Sequence, residues 1–228
     1  MQNGQKMTNN YQSRGIDTNQ TGVHEDLSKL VNKHFAAEFL KPIAAHSEAA
    51  FAEADAKVQS WTGPIVLDSC CGVGESTLAL AKRHSNALVI GVDKSAHRLS
   101  KNKAYGEAQE RCILLRADLN DFWRQAITAG WDISHHYILY PNPWPKAKHI
   151  QRRWHGGPLF PSIVALGGQL ELRSNWLIYL EEFSAALALA GHSSKVQALA
   201  GDIEPITPFE RKYKATEQVL WQLQSNLC

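Results

Sequence analysis

This chain of 228 residues is short of several things, and each shortage excludes a class of protein. No apolar run approaches the ~20 residues that a membrane-crossing helix needs, which excludes an integral helical membrane protein. The first residues, MQNGQKMTNNYQSRGIDTNQTG, are polar and lack the apolar stretch of a secretory signal. Only four cysteines occur, Cys70, Cys71, Cys112 and Cys228, too few and too irregularly placed for a disulfide framework. None has metal-ligand spacing, and no metal is expected. A reducing, cytoplasmic compartment is the simplest setting. Net charge is also small. The 24 Lys and Arg against 22 Asp and Glu leave +2, which by itself marks no nucleic-acid binder. The 44% hydrophobic share is normal for a globular chain and excludes wholesale disorder.

What is present falls into three stretches. Residues 1–22, rich in Asn, Gln, Thr and Gly, read as a flexible tail. Residues 23–60 read as a helical extension. Leu27, Leu30, Val31, Phe35 and Phe39 recur at spacings of three and four, Pro42 interrupts, and an Ala-rich helix runs to about Val58. Residues 61–228 read as one domain of alternating strands and helices. Strands are predicted at Pro64–Ser69, Ala87–Val92, Cys112–Leu115, His135–Tyr140, Gln169–Arg173, Lys195–Ala200 and Gln218–Leu223. Helices are predicted at Glu75–Arg83, Ser95–Gln109, Asp121–Ala129 and Trp176–Ala190. This alternation builds a mostly parallel sheet covered on both faces. The closing pair of strands, with little helix between, predicts an antiparallel edge.

The strongest local signal is IVLDSCCGVGEST, an apolar strand ending in Asp68, a turn through Gly72 and Gly74, then a helix start. Glycines let a backbone approach a ligand closely, and a helix N-terminus offers free N–H groups. A full G-x-G-x-x-G is missing, which argues against a dinucleotide. Asp93 ends the next strand, where a carboxylate can accept from both hydroxyls of a ribose. Asp118 follows the third strand and can receive the exocyclic amine of an adenine. Asp also favours helix caps and loops, so a purely structural role stays open for all three.

The most unusual stretch is YILYPNPWPKAKHIQRRW. It leaves the fourth strand at the sheet edge where ligands bind in open α/β folds. Pro141, Pro143 and Pro145 stiffen it, and Lys146, Lys148, His149, Arg152 and Arg153 charge it. No acid occurs between Asp132 and Glu171. An acid-free basic segment beside a reactive site suits a polyanion. Trp144 is placed either to stack on a base or to pack. A second acid-free stretch, Lys94–Lys103, puts Lys94, Arg98 and Lys101 on one helical face, for RNA or for solvent.

The order of elements and the acid-bearing strand ends resemble class I S-adenosylmethionine-dependent methyltransferases. The resemblance implies a seven-stranded, Rossmann-like sandwich with the last strand inserted antiparallel. It also implies S-adenosyl-L-methionine as cofactor, with Gly72 and Gly74 under its methionine part, Asp93 on its ribose and Asp118 near its adenine; Asp68 and Cys70 are expected to complete the cofactor site. More closely, PNPWPKAKHIQRRW is similar to the PDPWxKxxHxxRR signature of the tRNA (guanine-N7)-methyltransferases. LGGQLELRSNWLIYLEEF and ITPFERKYKATEQVLWQL resemble two further blocks of that family. The resemblance runs from about Ile65 to Leu223. By matching position, Lys146 would contact the substrate or its phosphates, and the basic segment as a whole, Lys146, Lys148, Arg152 and Arg153, is expected to hold phosphates. Asn175, Thr207 and Glu210 line the guanine pocket, and Asn142 sits between the methyl group and the base. The implied partner is tRNA or another RNA, with the chain as monomer or homodimer and no membrane involved.

Three departures stand out. Asn142 and Asn175 replace acids of the family, and Cys70 replaces its first motif glycine. Asn offers a dipole where a carboxylate offers a full charge to a base made cationic by methylation. Two alternatives follow. Asn142-Pro143-Trp144 resembles the start of the Asn-Pro-Pro-aromatic motif of amine-methylating enzymes, which implies an exocyclic amine as acceptor. Loss of both acids also fits a non-catalytic RNA- or cofactor-binding homologue. The helical extension either caps the cofactor site or recognises a partner.

Overall fold

The computed structural model describes residues 15–101 and 110–228. The far end of the predicted Ser95–Gln109 helix, with Lys103, and most of the predicted tail lie outside the described residues. Two helices come first, α1 (Leu27–Phe35) and α2 (Ala45–Gln59). Then strands and helices alternate: β1 (Ile65–Ser69), α3 (Glu75–Arg83), β2 (Leu88–Asp93), α4 (Ala96–Leu99), β3 (Cys112–Arg116), α5 (Leu119–Thr128) and β4 (Ile133–Leu139). The second half holds α6 (Phe160–Ala165), β5 (Gln169–Ser174), α7 (Leu177–Leu189), β6 (Ser194–Ala198), α8 (Pro208–Lys214) and β7 (Trp221–Asn226).

The strands form one sheet in the order β3-β2-β1-β4-β5-β7-β6. All pairs are parallel except those of β7, which runs antiparallel to β5 on one side and β6 on the other. The antiparallel strand is therefore inserted, and β6 is the edge. This corrects the antiparallel edge read from the closing strands. α8 also lies between them, where the pattern predicts little helix. β7 starts three residues later than predicted, because residues 215–220 first leave α8 through Glu217 at φ 54.

β1 and β2 are buried at every residue, as central parallel strands are. One face of the sheet packs Leu67, Ile90 and Ile138 against Phe122, Phe160 and Phe183. Each fully buried phenylalanine contributes roughly 1.5–3 kcal/mol. The opposite face packs Val66, Val89 and Leu139 against Leu80 and Ala81 of α3. Leu27, Leu30 and Val31 of α1 and Ala54 and Val58 of α2 join the first of these clusters. Phe39 does not continue α1, as its spacing predicts, and lies in the link between α1 and α2.

Candidate active site

The carboxyl ends of β1, β2, β4 and β5 open onto a cleft of about 700 Å³. One wall is made by strand ends. Asp68, one residue before the end of β1, is fully buried and accepts from Ser76 Oγ and Thr77 Oγ1, each at 2.7 Å. It does not line the cleft, a correction to its predicted place under a ligand. It ties β1 to the first turn of α3, and burial pushes its carboxyl up to about 6. Thr77 can come this close because Gly91 faces it. A Cβ at Gly91 would stand 2.3 Å from Thr77 Oγ1. The intervening turn carries three left-handed residues, Cys70 (φ 65), Gly72 (φ 62) and Gly74 (φ 77). Nothing lies within 4 Å of the space a Cβ would take at Gly72, so that turn is open in front. Cys70 adopts the glycine conformation at a cost of order 1–3 kcal/mol. Burial and the Asp93 carboxylate push its thiol up to about 12, which leaves it a poor nucleophile.

Asp93 ends β2 and stiffens this turn. Its carboxylate accepts from Gly72 N at 3.0 Å and Ser95 N at 2.7 Å, and Arg98 Nη1 lies 3.3 Å away. Asp118 caps α5, accepting from Asn120 N at 3.0 Å, and pairs with Lys41 Nζ at 3.4 Å. Lys41 comes from the link between α1 and α2, and Phe39 of the same link lines the cleft. Arg124 holds the link with a 2.6 Å hydrogen bond to the Lys41 carbonyl. The helical extension thus covers the Asp118 end of the cleft.

The other wall is the proline-rich loop. Tyr140 (φ 52) and Trp144 (φ 45) adopt the left-handed conformation at its start. Three of the four such non-glycine residues among those described, these two and Cys70, line the cleft. Asn142 is exposed, and its Oδ1 accepts from Trp144 N at 3.2 Å, turning the loop. The Arg152 guanidinium lies 4.7 Å from the Trp144 ring centre. Lys146, Lys148 and Arg152 are exposed and free to meet phosphates.

Arg153 is not. Its side chain is fully buried, ion-paired with Glu182 of α7 and layered on Trp176 at 4.8 Å. It also donates to the Trp144 carbonyl at 3.0 Å, the Lys146 carbonyl at 3.3 Å and Gln20 Oε1 at 3.0 Å. It borders the cleft and braces the loop with a guanidinium committed to Glu182 and the loop's own carbonyls, where the sequence predicts a phosphate contact. Glu182 accepts in addition from His155 Nε2 at 2.9 Å and His24 N at 3.1 Å. Although burial alone would raise it, these partners hold the Glu182 carboxyl down to about 2. A strap from residue 18 to 24 completes the brace. Thr18 Oγ1 donates to the Pro145 carbonyl at 2.6 Å, and Ala147 N donates to Asn19 Oδ1 at 3.0 Å.

The last block also differs from expectation. Thr207 caps α8, accepting from Glu210 N at 3.0 Å. Glu210 is fully buried, pairs with Arg173 at 2.8 Å and accepts from Ile206 N at 2.7 Å. Neither lines the cleft. Their spacing is that of a helix capping box, a signal present in the sequence. The same helix instead gives the cleft Phe209 and Tyr213, which cluster with Tyr140. The sequence pattern did not single out these three rings. Asn175 does line the cleft, bonded through Nδ2 to Gln218 Oε1 at 2.9 Å.

The cleft therefore offers an open turn, two strand-end carboxylates and a basic loop with aromatic rings. It suits a ligand with a ribose and a base on one side and a flat polar acceptor on the other. Among the described residues no group of three or more His, Cys, Asp or Glu could hold a metal, and no helix is long and apolar enough to cross a membrane.

A family model described as "Putative methyltransferase" matches residues 62–223. Among curated proteins, the tRNA (guanine-N(7)-)-methyltransferase of Leifsonia xyli subsp. xyli (strain CTCB07) is 26% identical over 181 residues, 72% of this chain and 76% of that one. The protein of the same name from Mycobacterium ulcerans (strain Agy99) is 30% identical over 197 residues, 73% of this chain and 66% of that one. Among solved structures, "Structure of an Antibiotic Related Methyltransferase" matches at TM-score 0.54 and 15% identity, over 77% of this chain and 93% of that one. At that identity the match shows a shared fold.

Proposed function

The chain belongs to this methyltransferase family, and from that premise we propose that it methylates N7 of a guanine in tRNA, with S-adenosyl-L-methionine as donor. The observation that carries the reading is the cleft itself. A rigid, carboxylate-edged turn faces a basic, tryptophan-bearing loop across about 700 Å³. When bound, the donor supplies an electrophilic methyl group to a lone pair of the acceptor. The open Gly72 turn would carry its methionine part, Asp93 would accept from its ribose hydroxyls, and Asp118 would meet its adenine. Guanine N7 is an acceptor with no proton to remove, so no side chain has to act as a base. The work left to the chain is positioning, which can supply much of a rate. Lys146, Lys148 and Arg152 would hold phosphates, Trp144 would stack on a base, and Asn142 would stand at the reacting edge.

The tRNA relatives favour this acceptor over an exocyclic amine. Incubation with methyl-labelled S-adenosyl-L-methionine and unmodified tRNA tests the proposal. Label transferred to the tRNA is the expected result. Unlabelled tRNA, with cofactor binding measured in the same preparation, contradicts it and leaves a binding protein.

A further inference from the structure

We infer that Asn175 reads guanine as a pure acceptor, and that Gln218 and Thr216 are positioning residues that set this polarity. The inference rests on the guanine reading above. An asparagine can face a ligand with either its oxygen or its nitrogen, and only its other partners decide which. Here the decision runs along a chain of hydrogen bonds that begins at α8. Thr216 Oγ1 lies 3.1 Å from the Tyr213 carbonyl and 3.2 Å from that of Lys212. Carbonyls only accept, so the hydroxyl proton is committed to them. The Thr216 oxygen must then accept from Gln218, whose Nε2 is 3.2 Å away. That turns Gln218 Oε1 toward Asn175, where it takes Nδ2 at 2.9 Å. Asn175 Oδ1 is left as the acceptor that this residue, at the cleft wall, can present.

The N1–H and the 2-amino group of guanine are donors, and an acceptor suits them. The matching edge of adenine carries a bare ring nitrogen, an acceptor, which an oxygen repels. A carboxylate at this position would accept by default. An amide accepts only while Gln218 holds it. The relay thus explains how Asn175 can stand where the resembling family carries an acid.

The test is titration calorimetry with GMP and AMP on the full chain, together with nucleoside analysis of methylated tRNA. The variants are Gln218→Leu, which releases the amide, and Gln218→Glu, whose carboxylate still accepts from Asn175 Nδ2. Wild type should prefer GMP over AMP. Gln218→Leu should lose about tenfold of that preference, the worth of one hydrogen bond, with an unchanged unfolding midpoint. Gln218→Glu should keep most of it. Equal binding of GMP and AMP by wild type overturns the inference. So does an unchanged preference in Gln218→Leu, or an equal loss in Gln218→Glu. If GMP preference follows this pattern but no 7-methylguanosine forms, the proposed reaction fails and the polarity stands. If 7-methylguanosine forms with no GMP preference, the reverse holds.

Discussion

The two walls of the cleft are held by opposite means. The wall proposed to hold the cofactor is built by backbone: strand ends β1 and β2, a left-handed turn, and the Asp93 carboxylate bonded to the backbone N–H groups of Gly72 and Ser95. The wall proposed to face the acceptor is an exposed loop with no strand or long helix of its own, braced by ions and by chain from far away. Arg152 and Arg153 put the contrast into two adjacent residues. One lies open over Trp144, and the other is sealed against Glu182, 29 positions further on. A local turn can be specified by local sequence. A loop that must hold its shape in water while offering cations needs a buried anchor, and that anchor is expensive to break.

The contrast can be broken most severely at the anchor. Glu182→Ala leaves Arg153 charged, buried and unpaired, so stability should fall by about 3–5 kcal/mol in denaturant unfolding. An equal loss from an exposed cation such as Lys148→Ala would erase the distinction between brace and surface.

Acid should attack the same buried groups. Burial pushes His136 down to about 3 and lowers His155, so both sit below the unfolded value of about 6.5. The unfolded chain takes up protons first, and stability is lost as pH falls below about 6.5. Glu182, held at about 2, adds a loss between its unfolded value and 2. Asp68, raised to about 6, works the other way, since the folded chain protonates it first. Unfolding across pH 7 to 4 should show the net decline, flattened in His136→Gln. A flat wild-type profile would contradict the burial of these rings as neutral groups.

On the cofactor wall, Asp93→Asn should weaken S-adenosyl-L-methionine about tenfold or more in a binding titration, because one wall oxygen becomes a donor. Its effect on tRNA affinity should be small, and comparable losses of both ligands would merge the two walls into one unit.

The smallest effect is the most diagnostic for Arg152. Arg152→Ala should leave thermal unfolding unchanged while the salt dependence of tRNA binding loses about one unit of slope. An unchanged slope would place Arg152 off the phosphate path.

Much of the cofactor wall was legible in the sequence because it repeats one local pattern, an apolar run that ends in an acid. Asp93 and Asp118 stand where that pattern predicts, although Asp118 also caps α5 and pairs with Lys41. Asp68 was misplaced by one layer, since two hydroxyls of the next helix turn it inward. The acceptor wall was legible in composition but not in direction. Nothing local distinguishes Arg152 from Arg153. Their fates depend on Glu182, one of two adjacent acids in a mostly apolar helix, and that acid pair was the available signal. Thr207 and Glu210 were read through a family block, while their own spacing spelled a helix cap. For the helical extension the sequence left two roles open, capping the cofactor site or recognising a partner, because Lys41 meets Asp118 only across 77 positions of chain.

The proposed reaction is defined by the atom that receives the methyl group. Digesting the labelled tRNA and separating its nucleosides by mass spectrometry answers that directly. Label is expected in 7-methylguanosine, absent when the donor is omitted and sharply reduced in Asp93→Asn. Label on an exocyclic amine, or on any nucleoside other than guanosine, would contradict that reaction.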